Sequence, residues 1–213
     1  FSSSATIYGY PKYLPIDENH PLEAINPYGE TKLVVENILK DLVLSDNSWS
    51  ITSLRYFNPI GAHPSGLIGD DPLSEKTENL MPTIIKVFQG IKPALEIFGD
   101  NYETKDGTGV RDYLHIMDLA EAHLKALDYL TKIKGLNIFN LGTGKGNSVL
   151  ELITTFEKIT KCVIPKVIKG RRSGDVAYCY ADPNKARKLL NWHTTMDLNQ
   201  MCLSAYNFSK INT

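Results

Sequence analysis

Tyr28 and Lys32 are the two side chains of this 213-residue sequence whose types and spacing most directly suggest chemistry. They stand four apart at the opening of an expected helix, which puts them on one face. A phenol titrates near pH ~10 and is a poor base at neutral pH. An ammonium about 4 Å away, at an effective dielectric of about 20, favours phenolate by roughly 4 kcal/mol, or about three pKa units. That brings the phenol toward working pH, where acid–base catalysis is most effective. Alone, Tyr-x-x-x-Lys is a weak signal, because it also reads as a surface pair on an amphipathic helix. Its neighbourhood adds weight. Ser4 and Thr6 lie in Ser-Ser-Ser-Ala-Thr-Ile-Tyr-Gly, at the end of an expected strand, and Arg55-Tyr56-Phe57-Asn58-Pro59 ends another. Ligands of doubly wound folds bind at the carboxyl ends of strands, so Ser4 and Thr6 point toward the same crevice.

The elements that must hold these groups follow from periodicity and punctuation. Residues 1–7 read as the tail of a strand before a turn, and Pro11, Pro15, Pro21 and Pro27 make 9–27 mostly loop. A helix is expected from about Tyr28 to Leu44, with Val34, Ile38 and Leu42 on one face and Val35 and Leu39 beside them. Residues 50–57 read as a strand, Asn58-Pro59-Ile60-Gly61 breaks the pattern, and 61–79 is a polar, turn-rich loop or linker. Further along come a helix from Leu80 to Gln89, a short strand at 96–98, a helix capped by Asp118 with Leu119, His123, Leu127 and Leu130 near one face, and a strand over 136–141. Ser148 and Glu151 make a capping box, Asp182-Pro183 opens a helix through Leu190 with Pro at its first position, and a last helix starts near Leu198. Strands alternating with helices give the α/β class. No G-x-G-x-x-G turn lies near the start, and Gly142-Thr143-Gly144-Lys145-Gly146 reads as a tight strand-to-helix turn rather than a phosphate cradle.

Composition excludes several classes. Net charge is −1, so no broad attraction to nucleic acid or an anionic membrane is expected, and any anion must be held by a few placed cations. No apolar run approaches the roughly 18 residues of a bilayer span, and the first residues lack the features of a signal peptide. Cys162, Cys179 and Cys202 are odd in number and far apart, which fits neither a disulfide framework nor a zinc site and suits a reducing, cytoplasmic setting. His63 and His115 lack a third ligand, so structural roles are expected and no metal site is.

The ordered motifs FSSSATIYG, NPYGETK, LRYFNPIGAHPSG, ENLMP, FGDNYETKDGTGVRDYLH, NLGTGKGNSVLEL and RRSGDVA resemble the UDP-glucose (UDP-galactose) 4-epimerases, in the extended short-chain dehydrogenase/reductase superfamily. The similarity runs from Phe1 to about Trp192. It implies the carboxyl-terminal part of a doubly wound, Rossmann-type NAD domain (1–58, bearing the Tyr/Lys pair) and a smaller α/β UDP-sugar domain (59–213). It also implies Tyr28 as the acid and base at the sugar 4-hydroxyl, Lys32 lowering its pKa and binding the nicotinamide ribose, and Ser4 bridging sugar and phenol with Thr6 beside it. Tyr56 and Phe57 would line the nicotinamide pocket and Asn58 would reach the sugar-phosphate. Asn79 and Leu80 would approach the diphosphate from a helix amino terminus, a good anion site. Phe98 would pack on uracil, Arg111 and Arg172 would clamp the diphosphate with forked hydrogen bonds, and Asp175 would hold the ribose. The implied reaction, in galactose metabolism, passes a hydride from the sugar's fourth carbon to NAD and returns it to the other face of a 4-keto intermediate. Homodimers packed through the helix of Tyr28 are common in the family.

Without the resemblance, several of these residues have plainer readings. Arg111 could pair with Asp112, Arg172 could belong to a solvated basic run, Asn58 could end a strand and Phe98 could be core. The sequence also departs from the family pattern. Roughly the first third of the family chain, with its glycine-rich cofactor loop, is not in this sequence, so the polypeptide alone is expected to be inactive. Pro72–Glu78 replaces a usually apolar stretch and reads as a residue longer, which bears on the approach of Asn79. Cys179 stands where relatives carry a bulky aromatic or a small residue, and a small one implies room for UDP-GlcNAc and UDP-GalNAc. Two rival readings are a sugar-nucleotide 4,6-dehydratase, which needs an acidic pair where Ile7-Tyr8 follow Thr6, and a non-catalytic UDP-sugar-binding fragment.

Overall fold

The computed structural model describes residues 1–71 and 79–211. In chain order the elements are β1 (Ser2–Ser4), a 3-10 turn (Ala5–Tyr8), α1 (Pro27–Ser45), β2 (Ser50–Tyr56), β3 (Asn58–Ile60), α2 (Leu80–Phe88), β4 (Leu95–Phe98), β5 (Val110–Arg111), β6 (Tyr113–His115), α3 (Ile116–Leu130), β7 (Gly135–Leu141), β8 (Asn147–Ser148), α4 (Val149–Thr160), β9 (Lys166–Lys169), β10 (Tyr178–Cys179), α5 (Asn184–Leu190) and α6 (Leu198–Ile211). β1, β2 and β7 form a parallel sheet in that order, with Ser4 opposite Tyr56 and Tyr56 opposite Leu141. Smaller groupings are β10-β5-β8, β3-β6 and β4-β9. The sheet that carries residues 1–58 therefore takes its third strand from Gly135–Leu141, and a single cut at residue 58 runs through it.

The hydrophobic core divides in three. Met81, Ile84 and Ile85 of α2 meet Leu152, Ile153 and Phe156 of α4 and Met201 and Cys202 of α6. Leu54, Phe139 and Leu141 of the sheet pack on Leu119 and Ala122 of α3 and on Leu190 and Trp192. Ala5, Ile7, Tyr8, Ile16, Phe57 and Ala181 close the third cluster beneath the 3-10 turn.

Helix starts are set locally. The Asn26 Oδ1 accepts from Gly29 N at 2.8 Å, and Pro27 begins α1 without needing a donor. Gly29 lets α1 approach the 3-10 turn, since a Cβ there would lie 2.8 Å from the Thr6 carbonyl oxygen. Ser148 and Glu151 form the capping box of α4.

Several expectations change. The first strand ends at Ser4, whose Oγ accepts from Thr6 N at 3.2 Å and starts a 3-10 turn through Ile7 and Tyr8. Residues 58–60 are a strand, parallel to β6, although Pro59 brings no donor. Asp118 does not cap α3: His115 does, its Nδ1 accepting from Met117 N at 3.0 Å. The Asp118 carboxylate is buried in the first turn, where it accepts from the backbone of Thr195 and Met196. Leu127 is exposed, and α3 buries Leu119, Ala122 and Ala126 instead. In α1 the apolar face turns outward, with Val34 47% and Ile38 59% exposed, while Glu36 is buried. Pro183 precedes α5 rather than opening it, and Asp182 Oδ1 accepts from Asn184 N at 2.9 Å. The Pro72–Glu78 difference lies outside the described residues.

Candidate functional site

The first two turns of α1 stand over the carboxyl end of β1. Tyr28, Lys32 and Glu36 follow at four-residue steps along one side of the helix. Tyr28 is 55% exposed and its hydroxyl makes no hydrogen bond among the described residues. The Lys32 Nζ lies 5.5 Å from the centre of the Tyr28 ring and donates to the Ser2 carbonyl at 3.0 Å. Glu36 anchors the far end of this line. Its buried carboxylate accepts from Ser53 Oγ at 2.7 Å and from Arg55 Nε at 3.0 Å and Nη2 at 2.5 Å. Arg55 Nη1 donates to the Tyr8 hydroxyl at 2.8 Å, which donates to Asn140 Oδ1 at 2.6 Å. Burial works against the Glu36 charge, but the Arg55 guanidinium and two serine hydroxyls outweigh it and hold the carboxyl below its ordinary value. Helix α1 is thereby tied to β2 and β7 one turn beyond Lys32.

The Oγ of Ser4, expected to bridge sugar and phenol, accepts from the Thr6 hydroxyl at 3.0 Å and from the Thr6 amide at 3.2 Å. Tyr56 ends β2 with its hydroxyl 2.7 Å from Ser2 Oγ and 2.5 Å from His123 Nε2. Burial raises the Tyr56 pKa, the Ser2 hydrogen bond opposes that, and negative charge on Tyr28 would raise it further. Phe57 lies in the third core cluster, and its amide donates to the Leu141 carbonyl.

A second set of groups lines a cavity of about 600 Å³. Asn58, Asn79, Leu80, Phe98, Arg111, Arg172 and Asp175 all border it. Asp175 sits between two guanidiniums, 3.5 Å from Arg111 Nη2 and 3.1 Å from Arg172 Nε. Arg172 spreads over the Phe98 ring, 4.4 Å from its centre. Arg111 Nη1 is fixed by the Val110 and Val176 carbonyls at 2.9 and 2.7 Å. Asn79 precedes α2 without a side-chain cap, which leaves first-turn N–H groups beside the cavity. The arrangement suits a flat ring on Phe98 and a doubly charged anion between the arginines. Cys179, opposite Arg111 in the β10–β5 pairing, does not border this cavity. It packs on the cluster of Ala5 and Phe57, and burial pushes its thiol up to about 11.

Arg111 does not pair with Asp112, which faces the other way. The buried Asp112 carboxylate accepts from Thr143 N at 2.8 Å, Gly144 N at 3.0 Å, Ala181 N at 3.1 Å and the Thr143 hydroxyl at 2.6 Å. A Cβ on Gly142 would lie 2.5 Å from that carboxylate, so the glycine-rich turn wraps Asp112 and has no open cradle for a phosphate. His63 bonds Ser65 Oγ, and His115 caps α3 while its Nε2 lies 2.9 Å from Ser204 Oγ. Sequence reasoning missed Glu36, Asp112 and His123 as site-building residues. A carboxylate at the step after Tyr28 and Lys32 was the available signal for Glu36. The partners of the other two are distant in sequence and left none.

The family model described as GDP-mannose 4,6 dehydratase matches residues 1–204. The UDP-glucose 4-epimerase of Bacillus subtilis (strain 168) is 51% identical over all of this chain, and that of Bos taurus 48%. The chain spans 62% and 61% of the length of these two curated relatives. A crystal structure of UDP-glucose 4-epimerase from Bifidobacterium longum, in complex with NAD+ and UDP, superposes with a TM-score of 0.94 at 49% identity, covering 100% of this chain and 63% of that one. The enzyme from Stenotrophomonas maltophila, with bound NAD and formylated UDP-arabinopyranose, gives 0.95 at 46%, with 100% and 63% covered. With strands and helices in the same α/β order and a family match over nearly its whole length, the chain belongs to the GDP-mannose 4,6 dehydratase family, within which it is similar to UDP-glucose 4-epimerases.

Proposed function

We propose that this chain carries the catalytic pair and the nucleotide-sugar cavity of a UDP-glucose 4-epimerase, which interconverts UDP-glucose and UDP-galactose. The observation that carries this reading is the Phe98–Arg172–Asp175–Arg111 constellation, on one cavity with Asn58 and the start of α2. It offers uracil a ring face, the ribose a carboxylate and the diphosphate two cations.

Tyr28 takes the proton of the sugar 4-hydroxyl and gives it back on the return. The Lys32 ammonium, 5.5 Å from the centre of the Tyr28 ring, places a positive charge beside that phenol. The residues at this end fit the nicotinamide part of NAD. Lys32 has ammonium protons beyond the one given to Ser2, enough for a ribose hydroxyl, and Tyr28 and Tyr56 present aromatic surface. NAD, when bound, supplies a hydride acceptor that returns the hydride within the same cycle. Ser4 and Thr6 would meet the sugar by exchanging their mutual hydrogen bond for one to the substrate. Ile7 and Tyr8 are buried core residues, so the acidic pair that a dehydratase needs after Thr6 has no counterpart.

Finer points belong to the same proposal. The division into a cofactor unit and a substrate unit is kept with β7, α3 and α5 added to the first, since they pack with Leu54, and with the α2–α4–α6 cluster in the second. The outward Val34 and Ile38 of α1 and Leu124 and Leu127 of α3 suit helix packing in a homodimer of the whole protein. Free cysteines suit the cytoplasm, and among the described residues no helix is long and apolar enough to cross a membrane. Although Cys179 does not border the nucleotide cavity, its small side chain beside Ala5 and Phe57 is taken to leave room for N-acetylated UDP-hexoses at the sugar end, and Cys179→Tyr is expected to remove that tolerance and spare the plain sugars.

Two measurements test the reading. Calorimetry of this chain with UDP is expected to show binding. Turnover of UDP-galactose is expected from the full-length enzyme with NAD and not from this chain alone. Failure of UDP to bind, or robust turnover by this chain alone, would refute the respective part.

A further inference from the structure

Tyr56, Ser2 and His123 join the catalytic helix to α3 through one chain of hydrogen bonds. Lys32 Nζ donates to the Ser2 carbonyl at 3.0 Å. The Ser2 hydroxyl meets the Tyr56 hydroxyl at 2.7 Å, and the Tyr56 hydroxyl meets His123 Nε2 at 2.5 Å. His123 Nδ1 lies 2.8 Å from the Leu119 carbonyl, one turn back on α3.

The direction of this chain follows from which groups can donate. A carbonyl oxygen only accepts, so the ring proton of a neutral His123 sits on Nδ1 and is given to Leu119. Nε2 then carries a lone pair and can only accept. The phenol has a single proton, which must go to His123, and the Ser2 hydroxyl donates to the Tyr56 oxygen. Tyr56 stays protonated for this role, because burial raises its pKa and charge on Tyr28 raises it further. The imidazole and phenol rings also meet edge to face, with centres 5.5 Å apart.

We propose that His123 is a positioning residue for the reaction site, acting through Tyr56 and Ser2 on the placement of Lys32. By committing the Tyr56 proton to α3, it leaves that phenol no proton to share with Tyr28. It also holds Ser2, whose carbonyl seats the Lys32 ammonium. The inference rests on the function proposed above for Tyr28 and Lys32.

The test uses the full-length enzyme with NAD. His123→Phe removes the acceptor and keeps a ring, whereas His123→Gln places an oxygen close to the lost Nε2. We expect His123→Phe to lower kcat for UDP-galactose about two- to tenfold, the range of one lost hydrogen bond, with UDP affinity unchanged. His123→Gln restores most of it. In a Tyr56→Phe background, His123→Phe has no further effect. Nitrogen NMR of the histidine ring in the wild-type protein is expected to show the neutral, Nδ1-protonated tautomer. A full additional loss in the Tyr56→Phe background, or an Nε2-protonated neutral ring, would overturn the proposal. A wild-type enzyme that binds UDP without epimerising it would refute the function reading, and the tautomer measurement would still judge the His123 geometry.

Discussion

Replacing Glu36 by Ala removes the carboxylate that pairs with Arg55 in the interior. Arg55 is 1% exposed and Glu36 4% exposed, so the guanidinium left behind has no route to water. Breaking a buried pair by deleting one partner costs about 3–5 kcal/mol, because it leaves an uncompensated buried charge. That is a large part of the roughly 5–15 kcal/mol that holds a domain folded. A protein of this size loses about 2–4 °C of Tm per kcal/mol, so the expected fall is roughly 6–20 °C. Ser53 Oγ loses its acceptor in the same change, which places the result toward the upper end. Thermal unfolding of the purified chain, followed by circular dichroism, measures it. Replacing Glu36 and Arg55 together by Leu and Met removes the charge problem, and most of the stability is expected to return. A Glu36→Ala chain that melts within about 2 °C of wild type would refute the reasoning, since it would mean that Arg55 finds water or another partner.

Three further outcomes follow from the same structure. The Glu36 carboxyl titrates below its unfolded value of 4.5, so the stability it contributes is complete above that value and is lost as pH falls through the folded pKa. Wild type and Glu36→Gln should therefore differ most above pH 4.5, and the difference should shrink as pH falls through the lowered folded pKa, read from their acid unfolding curves. Arg172→Ala removes a charged donor to the nucleotide and the cover over Phe98, and calorimetry is expected to show UDP affinity reduced about 10- to 150-fold, the worth of a hydrogen bond to a charged group. At pH 8 iodoacetamide should label the exposed Cys162 first, because burial pushes the Cys179 and Cys202 thiols up to about 11 and about 12. Peptide mapping after brief exposure reads the order directly.

Much of the architecture was legible because it is written locally. Pro27 and the box of Ser148 and Glu151 mark helix starts in the sequence itself, and β2 and β7 announce themselves by composition. What escaped depends on partners remote in the chain. β3 contains Pro59 and becomes a strand through its pairing with β6, more than fifty residues away. The inward side of α1 was misread because its buried group is a carboxylate, made tolerable by Arg55 and Ser53 across the interface. The outward Val34 and Ile38 are apolar for a reason that lies outside the contacts within this chain. At the candidate site, residue types and family pattern located the cavity residues. They left out the role of Asp112, whose carboxylate organises the glycine-rich turn from thirty residues away.

The central claim is that the Tyr28 phenol moves the sugar proton while the arginine-lined cavity holds the nucleotide. Tyr28→Phe in the full-length enzyme tests it, with kcat for UDP-galactose and UDP affinity measured on the same preparation. The account predicts a fall in kcat of about 10²- to 10⁴-fold, the contribution of one positioned acid–base group, with UDP binding unchanged. Near-normal turnover by the Phe variant would contradict it.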